Sequence, residues 1–221
     1  VTPPAFEAVI FDVGGVLVES PFESGLRWKE QHDIPDEVMM VMFREYAAVP
    51  EPGTEPPMWH RVEVGEVSLD EFMDSMRAEF SRVLPPGHPA HDLRAADFNV
   101  FENAGAHWQI VHEVRRLREA GVATAILTNN VREWADWRRV IPLGWFDVVV
   151  DSCRVGLRKP DPEIWRLTLG ELGVAPERAV FLDDHPLNVE AARALGMTGL
   201  DVGSDLESVV TELRRLVPVR G

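Results

Sequence analysis

From about residue 105 to the end, short apolar strand patterns alternate with helical ones, and no other feature restricts the fold as much. Ile110, Val114 and Leu117 line a helix that ends near Gly121. Residues 122–127 read as a strand running into Thr128-Asn129-Asn130. Residues 132–139 carry a helical pattern, and 146–150 a strand. A helix over 162–172, a strand over 179–182 and a helix over 187–195 follow. A last strand over 196–202 and a closing helix over 206–216 complete the series. Parallel strands need crossovers, usually helices, so the alternation predicts a doubly wound parallel α/β sheet covered on both faces.

One more strand stands apart near the start. Ala8-Val9-Ile10-Phe11 is β-branched and aromatic, and Asp12-Val13-Gly14-Gly15-Val16-Leu17 follows it. That pattern reads as a buried strand ending in a turn. Between it and the alternating part, residues 19–99 show helical patterns and no clear strand. Met39, Met42, Phe43 and Tyr46 recur on one helical face. Ser68-Leu69-Asp70-Glu71 is a capping box, with Leu69, Phe72, Met73, Met76 and Phe80 as the stripe behind it. Pro/Glu-rich residues 50–57 and residues 85–89 read as loops. The expected organisation is an α/β core from 1–16 and 101–221 with a helical insert over 17–100, one or two domains in 221 residues.

Charge is unevenly spread. The formal net charge is −15, and residues 17–100 hold 17 acids and 7 bases, a balance of −10. So acidic a surface repels phosphate polymers and anionic lipid, so neither a nucleic-acid nor a membrane partner is expected. No apolar run approaches the roughly 20 residues of a membrane span. Residues 1–7 hold two prolines and an acid and no basic run, so no targeting segment is expected. The single cysteine, Cys153, suits a reducing, cytoplasmic setting. Of the 22 basic residues only Lys29 and Lys159 are lysine. Against that bias toward arginine, a lysine in a polar loop suggests a task for a compact point charge.

Four strand or loop ends carry groups of complementary chemistry. They are Asp12, Thr128-Asn129, the loop Gly156-Leu157-Arg158-Lys159-Pro160, and Asp183-Asp184. The carboxyl ends of parallel strands share one edge, so these groups can converge. Together they offer an anionic nucleophile, carboxylates for a hard divalent cation, a hydroxyl and a fixed ammonium. Phosphoryl transfer needs such a kit, because it is mostly positioning and charge neutralisation.

Four ordered segments, Phe11-Asp12-Val13-Gly14-Gly15-Val16-Leu17, Leu127-Thr128-Asn129, Lys159-Pro160-Asp161-Pro162 and Phe181-Leu182-Asp183-Asp184, resemble the motifs of the haloacid dehalogenase-like hydrolase superfamily. The insert resembles that superfamily's helical cap. Residues 63–68 with Glu71-Phe72 are similar to caps of the phosphatase domain of soluble epoxide hydrolases and of sugar-1-phosphate phosphatases. The resemblance implies a phosphatase acting on a small phosphorylated metabolite through an aspartyl phosphate on Asp12. It implies Mg²⁺ held by Asp12, the Gly14 carbonyl and Asp184, with Asp183 in a supporting or alternate role. Thr128, Asn129 and Lys159 would bind the phosphate, Lys159 also neutralising charge beside Asp12.

The usual phosphatase motif has a second Asp, the general acid and base, where this chain has Gly14. Its loss matters, since such catalysis is worth roughly 10²–10⁴ in rate. A substrate with a good leaving group would tolerate Gly14: an anomeric sugar phosphate, an acyl phosphate or an aryl phosphate. Glu19, His32, His60 and His185 are candidate substitutes as proton donor. Halide displacement needs no such acid, so a metal-independent dehalogenase is an alternative, though it leaves Asp183-Asp184 without a purpose. A nearly inactive binding module is another. Asn188 stands where many relatives carry Asp and could hold a metal-bound water; His185 is expected to begin a helix. Trp28, Trp59, His60 and Arg61 are the residues of the insert expected nearest the substrate.

Overall fold

The computed structural model describes residues 6–48 and 53–218. Residues 1–5 of the segment expected to hold no targeting signal, and residues 50–52 of the first Pro/Glu loop, lie outside the described residues.

Five parallel strands form one sheet: β1 (Ala8–Phe11), β2 (Ala123–Thr128), β3 (Val148–Asp151), β4 (Ala179–Asp183) and β5 (Thr198–Asp201). Their order is β3-β2-β1-β4-β5, with Phe11 aligned on Ile126 and Leu182. β1 is central and all four of its residues are buried, which is why it is apolar throughout rather than alternating. Val9 and Phe11 pack with Ile126, Val180 and Leu182 on one face. Ala8 and Ile10 pack with Ala125, Leu127 and Phe181 on the other.

Helices cover both faces, as the alternation predicts. Around the described chain they are α1 (Pro21–Gln31), α2 (Asp36–Ala47), α3 (Met58–Glu63), α4 (Leu69–Val83), α5 (Trp108–Glu119), α6 (Trp137–Val140), α7 (Ser152–Val155), α8 (Pro162–Leu172), α9 (Pro186–Ala194) and α10 (Leu206–Leu216). Ile110, Val114 and Leu117 of α5 and Val209 and Leu213 of α10 seal the Val9 face. Ile164, Trp165 and Leu169 of α8 and Ala192 of α9 seal the other. The capping box at α4 forms reciprocally: Glu71 N–H donates to Ser68 Oγ (3.2 Å) and Ser68 N–H to Glu71 Oε2 (2.9 Å). All five residues of the stripe behind it are buried.

The segments that leave and re-enter the sheet region lie side by side. Val18 bridges Ala106 antiparallel, Glu19 N–H donates to Gly105 O (3.0 Å) and His107 N–H to Leu17 O (2.9 Å). The helices α1 to α4 therefore hang from a two-stranded stem at residues 18 and 106.

One element departs from its pattern. Residues 132–139 form turns and only the short α6. Trp134 Nε1 donates to Phe98 O (2.6 Å), Asn99 Nδ2 to Asp136 Oδ2 (2.7 Å) and Leu69 N–H to Glu133 Oε1 (3.2 Å). These contacts with residues 69–99 hold the segment in turns in place of the helix expected over 132–139.

Candidate active site

Asp12 follows β1 and is tied to β4 by its own N–H, which donates to Leu182 O (2.9 Å). The chain then turns tightly, with the N–H groups of Leu17 and Val18 both donating to Val13 O (2.9 Å each). Gly15 sits at φ +72°, and a Cβ there would lie 2.1 Å from Asp184 Oδ2, so the glycine lets the two loops meet. Gly14 is held tight for another reason. A Cβ on it would lie 2.6 Å from Cδ and Cγ of Pro21, the first residue of α1. The space that a second carboxylate would need is filled by a proline ring.

Lys159 is almost wholly buried, and its Nζ lies between two carboxylates, 2.9 Å from Asp12 Oδ1 and 2.6 Å from Asp183 Oδ2. Asn129 fixes its backbone from both sides: Asn129 Nδ2 donates to Lys159 O (2.9 Å) and Lys159 N–H donates to Asn129 Oδ1 (2.8 Å). Asp183 is saturated. Its Oδ1 accepts from His185 N–H (2.8 Å) and Asn188 Nδ2 (3.0 Å), and its Oδ2 accepts from Lys159 Nζ. Asn188 gives its Nδ2 to Asp183 and also borders the cavity. Asp184, by contrast, is exposed and borders the cavity described below.

The site is strained electrostatically. Burial, then the charges of Asp183 and Asp184, push the Asp12 carboxyl up to about 7 against the pull of Lys159. Desolvation of the side of Asp184 that faces the cavity floor, then the Asp183 charge, raise its carboxyl to about 6, although its outer side meets solvent. Burial works against the Lys159 ammonium, but Asp12 and Asp183 outweigh it and hold its pKa above the ordinary lysine value.

Oxygens of Asp12, Asp183 and Asp184 lie within 4.8 Å of one another. Asp12 Oδ1 is buried and makes only the charge contact with Lys159, with no well-aligned hydrogen bond. An under-satisfied carboxylate oxygen, crowded acids and an all-oxygen donor set suit a hard divalent cation such as Mg²⁺.

Above these groups is a cavity of about 320 Å³. Asp12, Gly14, Thr128, Asn129, Lys159, Asp184, His185 and Asn188 border it on the sheet side. The rest of its lining is mostly apolar. Met39, Met42, Phe43 and Tyr46, the helical stripe of α2, all face it, so that stripe lines a cavity as well as packing. Phe98, Phe101 and Trp134 complete the wall, with Trp59 packed on Phe72 (ring centroids 5.1 Å) and Trp134 (5.5 Å).

Of Trp28, Trp59, His60 and Arg61, only Trp59 borders the cavity. Trp28 is buried, with its indole N–H donating to Asp97 O, and Arg61 pairs with Glu55 and Glu66. Of the proposed proton donors, Glu19 pairs with Arg27, and His32 stacks on Trp28. His60 is buried by Arg158 and Tyr46 O, and burial with the Arg158 charge lowers its pKa. His185 starts α9 and borders the cavity. Sequence reasoning placed Glu63 only within the cap resemblance of residues 63–68 and gave it no role. It is buried at the cavity edge and accepts from Arg158 Nε (2.7 Å), one residue before Lys159.

Residues 6–196 match the model of the haloacid dehalogenase-like hydrolase family. The chain is 31% identical over 96% of its length to acyl-CoA dehydrogenase family member 10 of Mus musculus, and covers 19% of that protein. It spans well under half of several curated relatives that it matches. Against the phosphorylated carbohydrates phosphatase of Thermotoga maritima it is 31% identical over 86% of its length and 82% of that enzyme. A HAD family enzyme from Bacteroides thetaiotaomicron superposes with a TM-score of 0.67 at 19% identity, covering 93% of this chain and 98% of the other. With motif order, sheet topology and family match in agreement, the chain belongs to the haloacid dehalogenase-like hydrolases.

Proposed function

We propose that this hydrolase is a Mg²⁺-dependent phosphatase acting on a small phosphate monoester, with Asp12 as nucleophile. The observation that carries the reading is Lys159 Nζ held between Asp12 and Asp183 beside Thr128, Asn129 and Asp184 in one cavity. The phosphorylated carbohydrates phosphatase among its relatives supports the same class of substrate.

Asp12 attacks phosphorus, its carboxylate forming the new P–O bond while the bond to the leaving oxygen breaks and that oxygen departs as its anion, to take a proton from solvent; water then attacks the same phosphorus, releasing hydrogen phosphate and returning Asp12 as a carboxylate. Asp12, the Gly14 carbonyl and Asp184 would hold Mg²⁺, which when bound neutralises phosphoryl charge and lets both carboxylates stay ionised. Asp183 acts as a positioning residue: its lone pairs are taken by Lys159, His185 N–H and Asn188. Lys159 keeps Asp12 aimed and adds positive charge at the transferred group. Thr128 Oγ and the neighbouring backbone receive phosphate oxygens, while the Asn129 side chain fixes Lys159.

Gly14 and the Pro21 ring leave no acid at the usual place, so the reading includes a leaving group that departs without strong protonation. Residues 17–100 are read as a cap domain on a core of 1–16 and 101–221, with the stem at 18 and 106 as its hinge. Among the described residues no helix is long and apolar enough to cross a membrane, and the buried lone Cys153 suits a reducing cytoplasm.

Phosphate release from p-nitrophenyl phosphate tests the reading. The wild type should turn over with Mg²⁺ and stop with EDTA, and Asp12→Asn should be folded and inactive. Metal-independent halide release from 2-haloacids would instead favour a dehalogenase, and no turnover of any ester a binding module.

A further inference from the structure

The walls of the cavity say more about the substrate than its floor does. Among the described residues, every charged group that borders it is either part of the Asp12 cluster or paired: Glu63 is buried against Arg158 (2.7 Å). The remaining wall is built from Met39, Met42, Phe43, Trp59, Phe98 and Trp134. The apolar surface continues outward, since Phe22 is 53% exposed and Tyr46 45% exposed at the same cavity. Phe22 and Phe43 pack there with tilted rings, centroids 5.3 Å apart. Among the described residues, the lining groups still able to hydrogen-bond are few: the Tyr46 hydroxyl, the Ser20 hydroxyl (which already accepts from Phe22 N–H), the buried, unpaired indole N–H of Trp59 and, on the sheet side, the unpaired His185 Nδ1.

We infer, building on the phosphatase reading above, that the body of the substrate is apolar, an aryl group or the hydrocarbon chain of an acyl group carrying one phosphate, rather than a sugar or other polyol. A polyol would trade water for a wall of methionines and rings, leaving most of its hydroxyls unpaired, and buried unpaired hydroxyls weaken binding. An apolar body gains from the same wall by leaving water. The two halves of the site fit one molecule: the floor takes a dianion, and the roof takes hydrocarbon. The relatives' substrates do not decide this; the lining does.

Binding of non-hydrolysable phosphonates to the intact wild-type protein with Mg²⁺, by titration calorimetry, tests the inference without needing turnover. Ethyl-, butyl-, hexyl- and octylphosphonate should bind progressively tighter, by roughly three- to fourfold per added methylene until the chain passes the rim. 2,3-Dihydroxypropylphosphonate should bind no tighter than ethylphosphonate. Tyr46→Ser and Phe22→Ser change partly exposed positions, and in variants with an unchanged melting temperature the gain for the longest chains should shrink. A flat chain-length series, or a polyol phosphonate that binds as tightly as hexylphosphonate, would overturn the inference. The phosphatase reading is judged separately by Mg²⁺-dependent release of phosphate from p-nitrophenyl phosphate. Turnover with a flat binding series removes the apolar body alone, and a steep series without turnover removes the phosphatase alone.

Discussion

At the scale of single residues, two positions define the chemistry. Gly14 marks a missing acid in the sequence, but its meaning depends on Pro21, seven residues on, whose ring fills the space. Restoring the carboxylate should therefore fail. Gly14→Asp is expected to lower stability by about 1–3 kcal/mol, as overpacking does, with no gain in turnover, checked by urea unfolding and p-nitrophenyl phosphate assays. Lys159 is the second position. It was legible as one of two lysines among 22 basic residues, and the structure places its ammonium 2.6–2.9 Å from two buried carboxylates. Lys159→Met leaves those acids uncompensated, at a cost of roughly 3–5 kcal/mol, and should abolish turnover. Lys159→Arg should not restore it, because a planar guanidinium cannot occupy the point-charge position. The division of labour between Asp183 and Asp184 came only from the family resemblance, which left Asp183 in a supporting or alternate role. Adjacent identical residues on a strand end look alike until their hydrogen bonds are seen.

At the scale of elements, the strands and the long helices of the alternating part were readable because apolar periodicity is local. Residues 132–139 were not, because their conformation is imposed by Phe98, Asn99 and Leu69, far away in sequence. The α2 stripe shows a subtler limit. Its spacing predicts one apolar face but not whether that face meets a neighbour or an open cavity, and here it does both. Helix α3 is anchored to the loop that carries Lys159 by Glu63 and Arg158, with Ser152 Oγ also donating to Glu63 O (2.6 Å). Arg158→Leu should strand the buried Glu63 carboxylate and cost about 3 kcal/mol, the low end for such a pair because Arg158 keeps some solvent contact. The same variant should raise KM more than it lowers kcat, since it loosens the roof and spares Asp12. Urea unfolding and steady-state kinetics with p-nitrophenyl phosphate check the two halves.

At the scale of the whole molecule, helices α1 to α4 lie between β1 and β2 in the chain, where the sequence shows helical patterns and no clear strand, and the Val18–Ala106 bridge brings the two ends of that segment together. The convergence of four distant segments followed from parallel strands sharing an edge, whereas the apolar roof depended on how the insert packs over it. The folded chain also stores a pH dependence. Asp12 and Asp184 are raised to about 7 and about 6, so without metal the folded state holds protons that the unfolded chain releases. Stability of the metal-free protein should therefore fall as pH rises from about 4 through 7. Mg²⁺ relieves the repulsion that causes the fall, so its gain in Tm should be larger at pH 8 than at pH 5.5, measured by calorimetry. Cys153 adds a control on the fold. Burial first, then Asp151, pushes its thiol up to about 12, so the native protein should react slowly with thiol reagents at pH 8 and quickly once unfolded.

The central claim is that Asp12, supported by Lys159 and a cation held with Asp184, transfers a phosphoryl group. Phosphate release from p-nitrophenyl phosphate by the wild type and by Asp12→Asn, each with Mg²⁺ and with EDTA, tests it most directly. Turnover only by the wild type with Mg²⁺ is the predicted result. Turnover that survives EDTA, or that Asp12→Asn retains, would contradict the account.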